Sequence, residues 1–278
     1  MNKISPSVLE QRFIVRRTQC LCERFEKSPN ITEERSVADH LSIWYSTRDT
    51  TIIPMLSVVF LDMYRYVKSW FGYRGDLSIH LWVAPTLEDL QFMTCTPCFE
   101  GYACAPGTKN GANVILIDSP LLGGRNSDEE RLSAVLAHEI SHHFVADISR
   151  STLFAMQRKA NLDVPIWLEE GLGTVIMAEV GPSLRARFAE QISETSEWYS
   201  LEDMWHDLTC CEDANRAYLQ AYKESKTLVE ERGKAEIVRL LYLNRTHYIN
   251  WNDLPLGKEV MARARYVNDW QPQCQKAE

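Results

Sequence analysis

Two histidines four residues apart, His138 and His142, lie in the middle of a segment whose apolar residues recur with a helical period. Acidic residues at positions 128–130 begin the segment, where they complement the positive end of a helix dipole, and Ser127 is placed to cap it. On a helix, residues i and i+4 project from one face about one turn apart. The segment therefore predicts a helix with both imidazoles on one face. The apolar stripe that would pack this helix onto a core consists of Leu132, Val135, Leu136, Ile140 and Phe144.

The imidazole pair is suited to binding a zinc ion. Zinc takes histidine nitrogens at about 2.0–2.1 Å, and a catalytic zinc site has three protein ligands and one open position. Glu139 is offset around the helix, so it can reach a metal-bound water as a general base without being a ligand. Glu170 is the strongest third ligand, because the 27 residues between it and His142 allow a loop and a return onto a second helix. The pattern predicts one zinc ion held by His138, His142 and Glu170.

Several neighbouring residues leave alternatives open. Glu169 replaces Glu170 as the ligand if the helical register differs by one residue, and otherwise is expected to face solvent. Asp147 is a weaker third ligand, better suited to supporting the site or to an exposed position. His143 is expected on a different face of the helix from His142. The alternative for the whole motif is an accidental spacing on a polar helix face.

Two motifs resemble those of the gluzincin metallopeptidases, the thermolysin and aminopeptidase type, and most nearly the compact peptidase-MA-like domains: His138-Glu139-x-x-His142 and Trp167-Leu168-x-Glu170-Gly171. A later segment, residues 222–229, resembles the family's Tyr-x-x-Ser-x-x-Leu-Val helix. The resemblance covers residues 73–245. There are two departures. The Gly-rich exopeptidase motif before the zinc helix is absent, and Thr174 stands where thermolysin-like proteins have an Asp one turn after the third ligand.

The resemblance implies roles for further residues. It implies that Glu170 is a zinc ligand and that Tyr222 donates a hydrogen bond to the tetrahedral oxyanion. Other residues suited to the same oxyanion role are Tyr218, His206 and His247. It also implies that residues 113–117 form the substrate-binding edge strand, where the substrate-binding residues would be Asn113, Val114 and Ile115.

The apolar patterning predicts an α+β fold, a small sheet followed by many helices. Helices are predicted over residues 7–27, from Thr32, over 51–70, over 88–93 and from Ser127 onward. Strands are predicted over residues 77–83, 101–105 and 112–118.

These elements predict two regions along the chain. Residues 1–72 are expected to form an N-terminal helical segment. Residues 73–278 are expected to form the second region, with an upper lobe at 73–147 and a mainly helical lower lobe at 148–278. The resemblance implies that this region is zincin-like, with a small mixed sheet and an active-site helix.

The charge balance excludes some kinds of partner. The 278 residues include 30 Lys and Arg against 38 Asp and Glu, a net charge of −8. An acidic chain without a basic block argues against a nucleic-acid or anionic-membrane surface. No apolar stretch reaches the ~18–20 residues that a membrane span requires, and the N-terminus lacks the pattern of a secretory signal. We expect a cytoplasmic protein with a peptide or protein substrate and no nucleic-acid or membrane partner.

The eight cysteines are expected to be mostly reduced and buried, because a chain of this length needs no disulfides to fold and no export signal is seen. Cys95 and Cys98 have the spacing of half a structural zinc site, with Cys104 as the nearest third ligand. A disulfide or a metal site at these cysteines remains the alternative.

The motifs together predict a zinc-dependent hydrolase, an endopeptidase that uses Glu139 as its general base. Two alternatives are a catalytically silent binding protein that keeps the peptidase framework and a purely structural helical protein. The intact Glu139 favours the enzyme, because a binding protein needs no base.

Overall fold

A computed structural model describes residues 26–94, 103–109, 112–119, 129–149, 164–201, 203–204, 208 and 211–244. In this part of the chain the protein is mixed α/β, with one five-stranded sheet and seven α-helices. The strands are β1 (Glu33–Ala38), β2 (Leu41–Tyr45), β3 (Ile79–Ala84), β4 (Ala103–Lys109) and β5 (Ala112–Asp118). The helices are α1 (Ile53–Trp70), α2 (Leu87–Thr94), α3 (Glu129–Ser149), α4 (Ile166–Val180), α5 (Pro182–Glu194), α6 (Ala214–Arg232) and α7 (Lys234–Asn244).

The sheet has the strand order β1-β2-β3-β5-β4. Its three central strands, β2, β3 and β5, are parallel, whereas β1 and β4 pair antiparallel at the two ends. Parallel neighbours need a crossover connection, and α1 provides it between β2 and β3. Ile43, Leu81 and Ile115 lie in register across the central strands, and all three are fully buried.

The two faces of the sheet belong to different apolar layers. Side chains alternate along a strand, so Leu81 faces the main core while its neighbour Trp82 faces a smaller one that includes residues of α2. The main core lies between the sheet and the helices α1 and α3. Phe144 of α3 is at its centre, with the rings of Tyr64 and Phe71 at 5.6 and 5.9 Å.

Glu179 joins three of the helices. Its Oε2 accepts hydrogen bonds from Tyr66 Oη of α1 at 2.8 Å and from Trp70 Nε1 at 3.1 Å, and Lys234 Nζ of α7 lies 2.8 Å away. These contacts hold α4 between α1 and α7. None of the described helices is long and apolar enough to cross a lipid bilayer.

Most of the predicted elements are confirmed. The helices predicted over residues 51–70 and 88–93 are α1 and α2, and the strands predicted over 77–83 and 112–118 are β3 and β5. The strand predicted at 101–105 is β4, which continues to Lys109, and the helical pattern after Ser127 gives α3. The helix predicted over residues 7–27 lies outside the described residues except for its last two positions, which are not helical.

The helix predicted from Thr32 is wrong, because Glu33–Ala38 is the strand β1 and β2 follows it. The charged start of this segment resembles the first turn of a helix. In the sheet it is an exposed end strand, where charged side chains discourage pairing with other chains. Residues on both sides of the boundary expected at 72 share one sheet and one core, since β2 pairs with β3.

Asp118 is a buried carboxyl group at the end of β5. Only 7% of the residue is exposed, and its Oδ1 has no hydrogen-bond partner among the described residues. Burial raises the pKa of Asp118 to about 6, and the charge of Glu88 acts in the same direction. A carboxyl group with a raised pKa in the folded state stabilises that state only at low pH, and this contribution is lost as the pH rises through the folded pKa.

We therefore expect Asp118→Asn to be more stable than the wild type at pH 7.5, where the wild type carries a buried charge. The gain should shrink as the pH falls from 6 to 4, because the folded wild type then holds its proton. Urea unfolding at several pH values measures this difference in unfolding free energy. Asp62→Asn, at an exposed position of α1, is the matched control and should show no such trend. A difference for Asp118→Asn that is constant from pH 7.5 to pH 4 contradicts the prediction.

Candidate metal centre

The predicted site is built by two adjacent helices, α3 and α4. α3 lies under the sheet with Ile140 and Phe144 fully buried, which turns His138 and His142 toward α4. α4 begins after Pro165 and buries the Trp167 and Leu168 side chains completely. This packing directs Glu170 at the two histidines.

Three potential ligand atoms converge between these helices. His138 Nε2 lies 3.1 Å from His142 Nε2 and 3.2 Å from Glu170 Oε2, and His142 Nε2 lies 3.6 Å from the same oxygen. Ligands bound tetrahedrally at 2.0–2.1 Å are separated by about 3.3 Å. The three side chains therefore fit a single tetrahedral ion, and they could hold a metal. They are the three residues that the sequence predicts as ligands.

The charges of the cluster favour a bound cation. Burial acts to raise the pKa of Glu170, but His142 and His138 outweigh it and lower this pKa below its ordinary value. Burial acts to lower the pKa of His142, yet Glu170 and Glu169 raise it to about 9. A metal ion that binds here must displace a proton from His142, so its affinity rises with pH.

Glu139 lies beside the three ligand atoms and does not belong to their group. It is 9% exposed, and burial raises the pKa of its carboxyl group, although His138 and His142 offset part of the shift. The N–H of Ala105 on β4 donates a hydrogen bond to it. The edge of the sheet thus reaches the carboxylate that the sequence predicts as the base.

Glu169 is the site residue that sequence reasoning misplaced. It was expected to face solvent, but it is only 3% exposed, and its Oε1 lies 3.0 Å from Nδ1 of His142. Glu169 and Glu170 contact different atoms. Glu170 Oε2 lies near Nε2 of both histidines, whereas Glu169 contacts Nδ1, on the opposite side of the His142 ring. The only sequence signal for the burial of Glu169 is that apolar residues flank the Glu169–Glu170 pair.

His143 and Asp147 stand apart from the ligand cluster, as expected. His143 Nε2 donates to the carbonyl oxygen of Val114 on β5 at 3.0 Å, and burial lowers the pKa of His143 to about 3. Asp147 accepts a hydrogen bond from Tyr73 Oη at 2.7 Å. Each residue ties α3 to its surroundings.

Tyr222 lies on α6 and is 3% exposed. Its ring packs on Phe188 at 5.0 Å. Burial raises its pKa, while Lys226 and Arg185 act in the opposite direction. Tyr218 is half-buried on the same helix. The other two residues suited to the oxyanion role lie outside the described part of the chain: His206 and His247.

The expectation that residues 113–117 form an edge strand is wrong. These residues belong to β5, which pairs with β3 on one side and β4 on the other. The main chain of Asn113, Val114 and Ile115 is therefore inside the sheet. β4 is the end strand on this side of the described sheet, and its pairing with β5 shifts between Cys104 and Gly107. Strand order is a tertiary property that residue patterns along the chain do not reveal.

Two glycines allow α4 to approach its neighbours. A Cβ at Gly171 would clash with Ser225 Oγ and with the carbonyl oxygen of Ala221 on α6. A Cβ at Gly173 would lie 3.0 Å from the His138 ring, tighter than most real contacts. Thr174, at the position of the family's Asp, donates its hydroxyl to the Glu170 carbonyl at 2.8 Å and so supports its own helix.

Cys104 on β4 and Cys211 are half-buried, whereas most of the cysteines were expected to be buried. The other six cysteines, Cys95 and Cys98 among them, lie outside the described residues.

A comparison with known protein families finds no family model that matches the chain, and a search of curated proteins finds no match either.

We expect Gly171→Ala to destabilise the protein by about 1–3 kcal/mol, because the added methyl group forces α4 away from α6. Glu170 moves with α4, so metal affinity should fall as well. Urea unfolding and titration with Zn²⁺ measure the two effects. Gly181→Ala, just after the C-terminal end of the same helix, is the control, because the nearest atom there is the flexible Leu184 Cδ1 at 3.1 Å. Equal losses for the two variants would show that the close approach at Gly171 does not matter.

Proposed function

We propose that this chain is a zinc-dependent peptidase, an endopeptidase with a zincin-like arrangement of its sheet and active-site helix. The observation that carries the proposal is the convergence of two imidazole nitrogens and one carboxylate oxygen beside the buried Glu139. Two histidines and a glutamate are the protein ligands of one known class of catalytic zinc site, in which the fourth position is left for water or substrate.

The residues of the cluster have distinct roles in peptide hydrolysis. Zinc, when bound by His138, His142 and Glu170, would supply Lewis-acid polarisation of a water and of the scissile carbonyl. Glu139 takes a proton from the attacking water as the water oxygen adds to the carbonyl carbon. It then gives the proton to the amine nitrogen as the C–N bond breaks. The burial of Glu139 beside the three ligand atoms supports its role in both steps.

The location of β4 supports an extended peptide as the substrate. In the described sheet β4 pairs with β5 alone, and Ala105 of β4 contacts Glu139. A peptide that adds to such an edge gains main-chain hydrogen bonds and lies next to the base. The absence of the Gly-rich exopeptidase motif favours cleavage inside a chain over removal of terminal residues. Tyr222 as the oxyanion donor remains a prediction, and its packing against Phe188 gives it no support.

Glu139→Gln is the direct test. The variant should bind zinc as the wild type does, since Glu139 is not a ligand, and should lose hydrolysis by a factor of about 10²–10⁴, the usual contribution of a positioned base. Cleavage of a broad peptide library, followed by mass spectrometry, measures the activity, and metal analysis of the same sample measures the zinc. Glu190→Gln, at an exposed position of α5, is the matched control and should keep full activity.

Two outcomes oppose the proposal. A Glu139→Gln variant that cleaves as fast as the wild type shows that the mechanism is wrong. A zinc-loaded wild type that cleaves no member of the library identifies the chain as a silent binding protein.

A further inference from the structure

Two consecutive residues of α4, Glu169 and Glu170, contact the two ring nitrogens of His142. Glu170 Oε2 lies 3.6 Å from Nε2, and Glu169 Oε1 lies 3.0 Å from Nδ1. Adjacent helical residues point about 100° apart, so the two side chains pass on either side of the imidazole ring. The position of α4 thus decides the orientation of His142.

The contact between Glu169 and His142 is buried on both sides, at 3% and 8% side-chain exposure. A buried carboxylate is costly unless charged or hydrogen-bonded groups compensate it. Nδ1–H of His142 is such a group for Glu169. With Nδ1–H donated to Glu169, Nε2 is the nitrogen that points at His138 and Glu170, and loss of its proton directs the lone pair where a metal ligand requires it.

His138 lacks an equivalent contact. Its Nδ1 is buried and has no hydrogen-bond partner among the described residues, and the backbone at Gly173 packs against that side of the ring. Thr174, which follows Gly173 on α4, donates its hydroxyl to the Glu170 carbonyl. The two histidines therefore differ at Nδ1. A carboxylate contacts Nδ1 of His142, whereas none among the described residues contacts Nδ1 of His138.

We propose that Glu169 is a positioning residue that fixes the tautomer and orientation of His142 and strengthens its bond to the metal. This inference rests on the proposed zinc site. Histidine ligands commonly donate their second N–H to a carboxylate, and the loss of such a partner weakens metal binding by about 10–100-fold. In this chain the partner immediately precedes the third ligand in sequence.

Glu169→Gln is the sharpest test, because the amide keeps the size of the side chain and can still accept a hydrogen bond but carries no charge. We expect its zinc dissociation constant to rise by about 10–100-fold in a chelator competition. The downfield Nδ1–H proton resonance of His142, observed by NMR of the metal-free protein, should move upfield. Glu190→Gln makes the same change at an exposed position of α5 and should alter neither measurement. Glu170→Gln removes a ligand and should weaken zinc binding more than Glu169→Gln.

The outcomes separate this inference from the proposed function. If Glu169→Gln binds zinc as tightly as the wild type, the positioning role is wrong and the zinc site stands. If Glu169→Gln weakens binding more than Glu170→Gln, Glu169 is the ligand and the inference is again wrong. A wild type that binds no zinc overturns the proposed function, and the inference with it.

Discussion

The close contact between α3 and α4 is the constraint on which the rest of the site depends. Two imidazoles and two carboxylates meet between these helices, with His142 and Glu169 buried and the other pair half-buried, and each carboxylate contacts a histidine. The contact forms because Gly173 lets α4 reach His138, while Gly171 lets the same helix lie directly on α6. A larger residue at Gly173 would push the two helices apart, and a buried carboxylate without a partner costs several kcal/mol.

The sheet contributes to the same site from the other side. α3 is tied to β5 through His143 and to β4 through Glu139, so two residues about one helical turn apart bond to two neighbouring strands. Three central parallel strands, with Ile43, Leu81 and Ile115 in register, give these contacts a rigid base. The fold thus holds the predicted ligands and the predicted base relative to one another while leaving the outer side of β4 without a partner strand among the described strands.

The local parts of this arrangement are predictable from sequence, and the tertiary parts are not. The spacing of His138 and His142 places them on one helix face, and the order of residues around Glu170 identifies the third side chain of the cluster. Burial of Glu169 could not be predicted, because it depends on which neighbour covers α4. The strand β1 was missed for a similar reason, since its charged residues match a helix start when considered alone. The internal position of β5 follows from strand order, which sequence spacing does not determine.

The most direct test of the central claim is the metal content and coordination of the purified protein, by elemental analysis and zinc X-ray absorption. The account predicts one zinc per chain with nitrogen and oxygen ligands at about 2.0–2.2 Å, and a loss of that zinc in His142→Ala. The His142→Ala sample is essential, because Cys95, Cys98 and Cys104 are potential zinc ligands in their own right. Sulfur ligands at about 2.3 Å, or equal zinc in the wild type and His142→Ala, would contradict the account.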